Sequence, residues 1–489
     1  MHLRKLNIKC YGNVIVNVDC GKVWFFRMDK KRNSFSSSIG FVLAAAGSAV
    51  GLGNIWRFPY LAAKDGGGFF LLIYIILAIT FGYTLLITEV SVGRKTKQSS
   101  LTAYGKLSKK SGWLGAFSSA VPFMILPYYC IIGGWVLKYC ITFMIGNGES
   151  AAEDTYFTNF ITGKFEPIIY DAIFLLLTCI VVYRGINKGI ESLSKILMPV
   201  LLVLVIGIAI FSLTLKGNET QGGRTGMEGF LVYVVPDISD MSFRDMFVVV
   251  MDAMGQLFYS ISVAMGIMVT YGSYFKDEDN LVKSVNQIEI FDTIVAFLAG
   301  VMIIPAVYVY MGKEGMTAGP GLMFVVIPKI FAEMGVFGKI SGILFFVMVL
   351  FAALTSSVSV LEAIVSGMID KTGMERKRAT LLEGGIALVL GIIICLGYNL
   401  LYFEIKLPNG VTAQILDIVD YISNNILMPV VAVGTCILIG WIVKPKTVID
   451  EATKNGERFG RKLLYVAMIK VIAPVLLFIL FLGSIGIIR

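Results

Sequence analysis

The sequence predicts an all-α polytopic membrane protein of about eleven transmembrane helices, and three observations predict it. First, 56% of the 489 residues are hydrophobic and only 15% charged, with a mean hydropathy of +0.79. Soluble domains carry far more charge. Second, the chain contains eleven apolar runs of roughly 20 residues or more, the length that crosses a bilayer as a helix. Third, its lysines and arginines sit in short connections on alternate sides of those runs, where they set orientation.

The runs lie near 39–63, 68–92, 113–144, 167–184, 194–216, 244–273, 282–311, 338–369, 380–398, 413–443 and 462–488. Lys30, Lys31 and Arg32 precede the first, and Arg94, Lys95, Lys97, Lys106, Lys109 and Lys110 follow the second. Later even-numbered connections are basic as well, whereas 146–166 carries Glu149, Glu153, Asp154 and Glu166. The positive-inside rule puts the N-terminus in the cytoplasm, and an odd helix count leaves the C-terminus outside. The net charge of +9 is thus a topology signal, with no basic, aromatic-interleaved face for nucleic acid. Seven scattered cysteines without a CxxC pair support neither a metal site nor a disulfide framework. The single histidine, His2, removes most imidazole chemistry. No paired nucleophile and base is visible, so the chain does not read as an enzyme.

Residues 1–34 read as a cytoplasmic N-terminal segment without the layout of a signal peptide. Within it, 1–27 reads either as an extension preceding a start at Met28 or as a loosely ordered tail. Residues 35–443 form the core of ten helices and 444–489 a cytoplasmic loop with the eleventh. Helices one to five (35–216) and six to ten (244–443) make two equal sets. Because five is odd, the second set starts from the opposite side of the membrane, giving inverted topology without a visible sequence repeat.

The first run contains Gly47-Ser-Ala-Val-Gly51-Leu-Gly53-Asn54-Ile-Trp56-Arg57-Phe-Pro59. Every backbone group in lipid needs a partner, so a weakened helix survives there only where it is buried or lines a cavity. A GxxxG packing face accounts for Gly47 and Gly51 but not for Gly53, Asn54 or Arg57. The helix is therefore expected to break here. By the symmetry of the two sets the sixth should break too, where Gly255 and Gly266 bracket Tyr259, Ser260 and Ser262. Thr355, Ser356, Ser357 and Ser359 in the eighth run, Tyr128 and Tyr129 in the third and Asp292 in the seventh add polar groups at membrane depth. A lone hydroxyl usually bonds back to its own helix, but four in five positions suit a hard cation such as Na⁺. The glycine-rich loop 313–337 is either an external lid or a passive connector, and Glu89, deep in the second run, has no evident partner.

These residues closely resemble the signature of the neurotransmitter:sodium symporter family, particularly its prokaryotic, leucine-transporter-like branch, over residues 35 to 485. The resemblance implies a 5+5 inverted repeat with helices one and six broken, and two sodium ions. The first would take the Ala49 carbonyl, Asn54, Ser260 and Asp292; the second the carbonyls of Gly47, Val50 and Ala352 with the hydroxyls of Thr355 and Ser356. The substrate pocket would be formed by Ala49, Gly51, Gly53, Ile125, Tyr129, Tyr259, Ser260, Ser262, Met265, Ser356 and Val360. Gly51 stands where amine carriers of the family have Asp, so an amino acid is implied, its carboxylate facing a half-helix terminus. Met265, often Phe in the family, gives an adaptable wall and favours an apolar or aromatic side chain. Asp292 stands where members commonly have Asn, and Ala296 lacks the hydroxyl that helps chloride-dependent members bind Cl⁻ beside the equivalents of Tyr74, Gln256 and Ser260. Chloride-independent transport follows, with proton antiport through Asp292 as a further expectation.

The implied outer gate is Arg57 with Asp420, bridged by Gln256. The inner gate is Arg32 with Asp370 and Tyr274, with Phe35 in place of the family's usual Trp. The function implied is sodium-coupled import of an amino acid by alternating access, in the plasma membrane of a prokaryote. The alternative is a substrate-sensing receptor on a transporter scaffold. The partners are the amino acid, sodium and the lipid bilayer, without nucleic acid; no oligomeric state follows from the sequence.

Overall fold

A computed structural model describes residues 8–11, 14–19, 22–27, 33–219, 222–239, 241–316 and 319–487. The chain divides into two units, Met1–Ser34 and Phe35–Arg489. The first holds an antiparallel meander of β1 (Ile8–Tyr11), β2 (Val14–Asp19) and β3 (Lys22–Arg27). Ile8 pairs with Asn17 and Val14 with Arg27. A loose tail was one expectation for this stretch. The alternation of branched and polar residues at 16–19 is a strand period, overshadowed in the sequence by the long apolar runs that follow. Met28 and Arg32 lie outside the described residues.

Among the described residues of the second unit nine helices are long and apolar enough to span a membrane, and the bent pair Ser38–Ala49 and Gly53–Lys64 makes a tenth. The spans after that pair are Gly68–Thr96, Lys109–Met144, Glu166–Tyr183, Ile186–Thr214, Leu281–Met311, Gly335–Thr372, Arg376–Leu396, Ile415–Ile442 and Lys462–Ser484. The remaining apolar run is two shorter helices, Phe243–Ser260 and Ile267–Tyr274. The first half carries Arg244, Asp245 and Asp252 and the second is only eight residues, so neither is counted alone, and counting them as one broken span gives the expected eleven. The ends of the spans differ from the hydropathy runs because polar turns continue several helices beyond the hydrocarbon. The fifth begins at Ile186 rather than 194, and the eighth extends over Gly335–Thr372.

Both breaks fall at the centre of the fold. The first helix ends at Ala49, Val50 turns extended (φ −74°, ψ 96°), and the chain resumes with a wide turn at Gly53–Arg57. The two halves are bent by 56°. The sixth helix runs intact through Gly255 and breaks after Ser260, within the expected stretch. Ser262 and Ala264, neither of them glycine, take left-handed φ of 53° and 62°, and Gly266 takes 71°. Left-handed backbone disfavours a β-carbon, so the strain sits on two residues that the sequence does not mark. Gly255 instead packs beside Leu480 and Arg57.

The second helix clasps the inner half of the sixth through two glycines. A β-carbon on Gly93 would lie 1.9 Å from the Val269 carbonyl oxygen, and one on Gly272 2.4 Å from that of Val90. Backbones this close leave no room for side chains, the small-residue packing that membrane helices use. Glu89, one turn before Gly93, accepts the Ala264 N–H through Oε1 at 2.6 Å. It thereby satisfies a backbone donor freed by the break. The glycine-rich connection holds a wide turn at Leu322–Val326 and the helix Ile327–Glu333. Its Phe324 is buried, its carbonyl accepts the Tyr139 hydroxyl at 2.8 Å, and its ring meets Trp56 edge-on at 6.3 Å.

Candidate functional site

The two breaks face one another across a small cavity lined by residues of the first, third, sixth and eighth helices. All eleven residues expected to form a pocket line it, from Ala49 and Gly51 to Ser356 and Val360, together with Ser48, Leu52, Asn54 and Ile267. Its water-accessible space is about 30 Å³, room for roughly two waters. An amino acid therefore requires the walls to move outward. The ring of Tyr259 covers Gly53, where a β-carbon would fall 2.9 Å from it.

Gly51 faces the third and eighth helices at close range. A β-carbon there would lie 3.0 Å from Ser356 Oγ and 3.2 Å from Tyr129 Oη, so an aspartate could not be accommodated without displacing both. The Tyr129 hydroxyl is buried and has no hydrogen bond of good geometry, although the Ser356 side chain and the Leu52 backbone lie close enough to interact weakly with it. A buried orphan hydroxyl costs free energy unless something completes it. It can donate one hydrogen bond into the cavity.

On one side of the cavity Asn54, Ser260 and Asp292 come together, all three buried. Asn54 Nδ2 donates to Asp292 Oδ1 at 2.9 Å. Ser260 Oγ lies 2.8 and 3.1 Å from the two Asp292 oxygens and 3.1 Å from Asn54 Oδ1. The Tyr74 hydroxyl reaches Asp292 Oδ2 at 3.5 Å. Four of these five distances are short, and together they set amide, hydroxyl and carboxylate oxygens around one point. A carboxylate held only by neutral donors in a membrane interior is costly and attracts a cation. Ala49 lines the same cavity. Ala296, one turn beyond Asp292, is fully buried. Gln256 points elsewhere, donating to the Gly53 carbonyl at 3.1 Å.

On the other side the broken first helix meets the eighth. Ser356 Oγ lies 3.2 Å from the carbonyl oxygens of Gly47 and Ser48 and 3.4 Å from that of Val50. A β-carbon on Gly47 would lie 3.2 Å from Thr355 Cβ. The Thr355 hydroxyl bonds back to the carbonyls of Phe351 and Ala352 at 3.0 and 3.1 Å. The five expected ligands of a second ion are thus neighbours, while their hydroxyls spend their hydrogens on carbonyls. Both hydroxyls keep lone pairs that accept nothing. Ser48, absent from the expected set, joins the breaks directly: its carbonyl accepts from Ser262 Oγ at 2.9 Å. No periodicity marks it, since its role depends on where the sixth helix breaks.

The expected outer-gate pair is not formed in this structure. Arg57 is exposed and forms no ion pair with Asp420 within 4.0 Å. Asp420 instead accepts from Asn424 Nδ2 at 2.6 Å, and the same nitrogen reaches the Tyr128 hydroxyl at 3.2 Å. A hydrated guanidinium gains little by pairing at a surface, and Asn424, one turn along the same helix, is the nearer donor. Lys64, at the C-terminal end of the first helix, pairs with Asp252 midway along Phe243–Ser260 at 2.8 Å, a pair missed by reading motifs alone. Arg32 lies outside the described residues. Asp370 accepts the Ser99 N–H at 2.6 Å. Tyr274 donates to Glu362 at 2.6 Å and lies 2.8 Å from Ser366 Oγ. Glu362 is in turn held by Arg376 at 2.5 Å. Phe35 fills its place as an apolar plug, its N–H on the Tyr274 carbonyl at 3.1 Å and its ring edge-on to Tyr271 and Tyr274.

The model of the sodium:neurotransmitter symporter family matches residues 32–153 and 164–488. The protein named "Uncharacterized sodium-dependent transporter YhdH" of Bacillus subtilis (strain 168) is 35% identical over 466 residues, 94% of this chain and 99% of its own. A sodium- and chloride-dependent taurine transporter of Canis lupus familiaris is 27% identical over 471 residues, 86% of this chain and 73% of its own. The crystal structure of MhsT in complex with L-phenylalanine is 35% identical, covers 93% of this chain and 100% of that one, and superposes with a TM-score of 0.80. With two broken helices meeting at a cavity and a family match over nearly its whole length, the chain belongs to the sodium:neurotransmitter symporter family and is a multi-pass membrane transporter, not an enzyme.

Proposed function

We propose that this symporter couples the inward movement of two sodium ions to uptake of an apolar or aromatic amino acid, without chloride. The observation that carries the proposal is the convergence on one cavity of a buried carboxylate and an unpartnered hydroxyl, beside backbone freed by two helix breaks. Asp292, Asn54, Ser260 and the Ala49 carbonyl would hold one ion, and Gly47, Val50, Ala352, Thr355 and Ser356 the other. Tyr129 would donate to the substrate carboxylate, which Gly51 leaves room to approach. Ile125, Met265 and Val360 would receive an apolar side chain, a reading supported by the phenylalanine bound to MhsT. Asp292 supplies near the first ion the negative charge that Cl⁻ provides in chloride-dependent relatives.

Each positive charge crossing inward contributes about 2.3 kcal/mol per 100 mV. Two sodium ions with a zwitterion would therefore bring about 4.6 kcal/mol per 100 mV, and outward return of one proton on Asp292 would halve that. Closure over the substrate would bring Arg57 toward Asp420, and inward release would separate Phe35 from Tyr271 and Tyr274. The chain would act in the plasma membrane of a prokaryote, N-terminus inside and C-terminus outside. Residues 1–34 would be a cytoplasmic segment ahead of a 35–443 core and a 444–489 terminal helix. Binding of each of the twenty amino acids to the purified protein, with and without Na⁺, tests the reading. Sodium-dependent binding confined to apolar and aromatic amino acids supports it; sodium-independent binding, or none, overturns it.

A further inference from the structure

Away from the central cavity, a groove of about 350 Å³ lies between the start of the third helix and the tenth and eleventh helices. Its walls are apolar, from Pro429 to Ile442 along the tenth helix and from Phe478 and Phe481 on the eleventh. Fourteen residues of helix make it about 20 Å long at 1.5 Å per residue. By the measure that gives the central cavity two waters, its volume holds roughly two dozen. Length and volume together describe one extended acyl chain. The groove opens on the hydrocarbon face of the protein, because Trp113, Ile437, Ile442 and Phe478 on its rim are all about half exposed.

One end is chemically distinct. Lys110 and Ser111 close the groove beside Trp113, and Lys109 precedes them. Both lysines are exposed, and neither has a carboxylate within 4.0 Å among the described residues. Tryptophan and lysine together mark the level of lipid head groups. Gly434 keeps the groove shallow enough to admit a chain, since the third helix lies directly against it: a β-carbon there would be 2.7 Å from Leu114 Cδ1. Basic pockets between helices on this side of a membrane attract anionic head groups.

We propose that this groove is a binding site for one anionic glycerophospholipid, its acyl chain lying along the tenth helix and its phosphate at Lys109 and Lys110. The site is 20 or so Å of wall shared by the helix that carries Tyr129 and the helix that carries Asp420, so its occupancy bears on how those two helices pack. Native mass spectrometry of the delipidated full chain in detergent, titrated with dioleoyl phosphatidylglycerol or dioleoyl phosphatidylcholine, tests it. The first phosphatidylglycerol should be retained at concentrations at least about fivefold below those needed for phosphatidylcholine, at about fivefold per lysine engaged. The double variant Lys109→Gln/Lys110→Gln should abolish that preference, and Ile437→Trp, which fills the groove, should weaken retention of both lipids. All three side chains are exposed, and an unchanged size-exclusion profile verifies folding. Equal retention of the two lipids by the wild-type protein overturns the proposal, as does a preference unchanged in the double variant or retention unchanged in Ile437→Trp.

Discussion

Removing one oxygen atom separates a binding role of Tyr129 from a packing role. Its hydroxyl is buried and makes no hydrogen bond within the protein, while its ring is packed in the third helix at 5% exposure. Tyr129→Phe keeps the ring and removes only a donor that has no internal partner. Folding should therefore be unchanged or slightly favoured, because the unsatisfied group is lost. A bound carboxylate, by contrast, loses a hydrogen bond to a charged acceptor, worth about 1.5–3 kcal/mol. At about 1.4 kcal/mol per tenfold, the dissociation constant of the amino acid should rise roughly tenfold to a hundredfold. Equilibrium binding at saturating Na⁺ and thermal unfolding of the same preparations measure the two quantities. Wild-type affinity in Tyr129→Phe would refute the assignment, and a lowered unfolding temperature would show that the hydroxyl supports the fold.

Gly51→Ala puts a β-carbon 3.0 Å from Ser356 Oγ and 3.2 Å from Tyr129 Oη; overpacking of this kind costs about 1–3 kcal/mol, so substrate affinity should fall about fivefold or more in the same assay. Thr355→Ala removes a hydroxyl whose internal bonds are only to its own helix, so stability should hold while half-saturation by Na⁺ rises about tenfold; sodium titration of substrate binding measures it. Asp292→Asn should raise the Na⁺ requirement more steeply than Thr355→Ala, read in the same titration. At the outer end of the first helix, burial and then the charge of Asp252 push the Asp65 carboxyl up to about 7. A raised carboxyl binds its proton more tightly when folded, so its contribution is greatest below about pH 4 and is lost as pH rises through about 7. Asp65→Asn should flatten the fall in unfolding temperature between pH 4 and pH 8.

Much of the architecture was legible because membrane helices announce themselves by apolar length, and the first break by residues that no intact helix in lipid would carry. The pocket was legible for the same reason: Gly51, Asn54, Tyr129 and Ser260 are expensive at membrane depth without a task, and all four converge on the cavity. The sixth break was less so. Its strain rests on Ser262 and Ala264, held left-handed by tertiary contacts that include Glu89, and no local propensity foretells that. Of the two bracketing glycines, Gly266 lies at the break with φ 71°, while Gly255 stays helical and packs beside Leu480 and Arg57. The Arg57–Asp420 pair is not formed here: Arg57 is exposed and Asp420 accepts from Asn424, a partner that spacing alone does not single out. Among the strands within 8–27 only residues 16–19 alternate branched apolar and polar side chains, a signal too short to stand out beside eleven apolar runs.

The central claim is that a sodium gradient drives net amino-acid movement through this site without chloride. Uptake of radiolabelled phenylalanine into proteoliposomes under an inward Na⁺ gradient, with gluconate replacing all chloride, tests it most directly. The account predicts accumulation above the equilibrium level that collapses when the gradient is dissipated and is unaffected by the anion. Binding without flux, or flux that requires chloride, would contradict it.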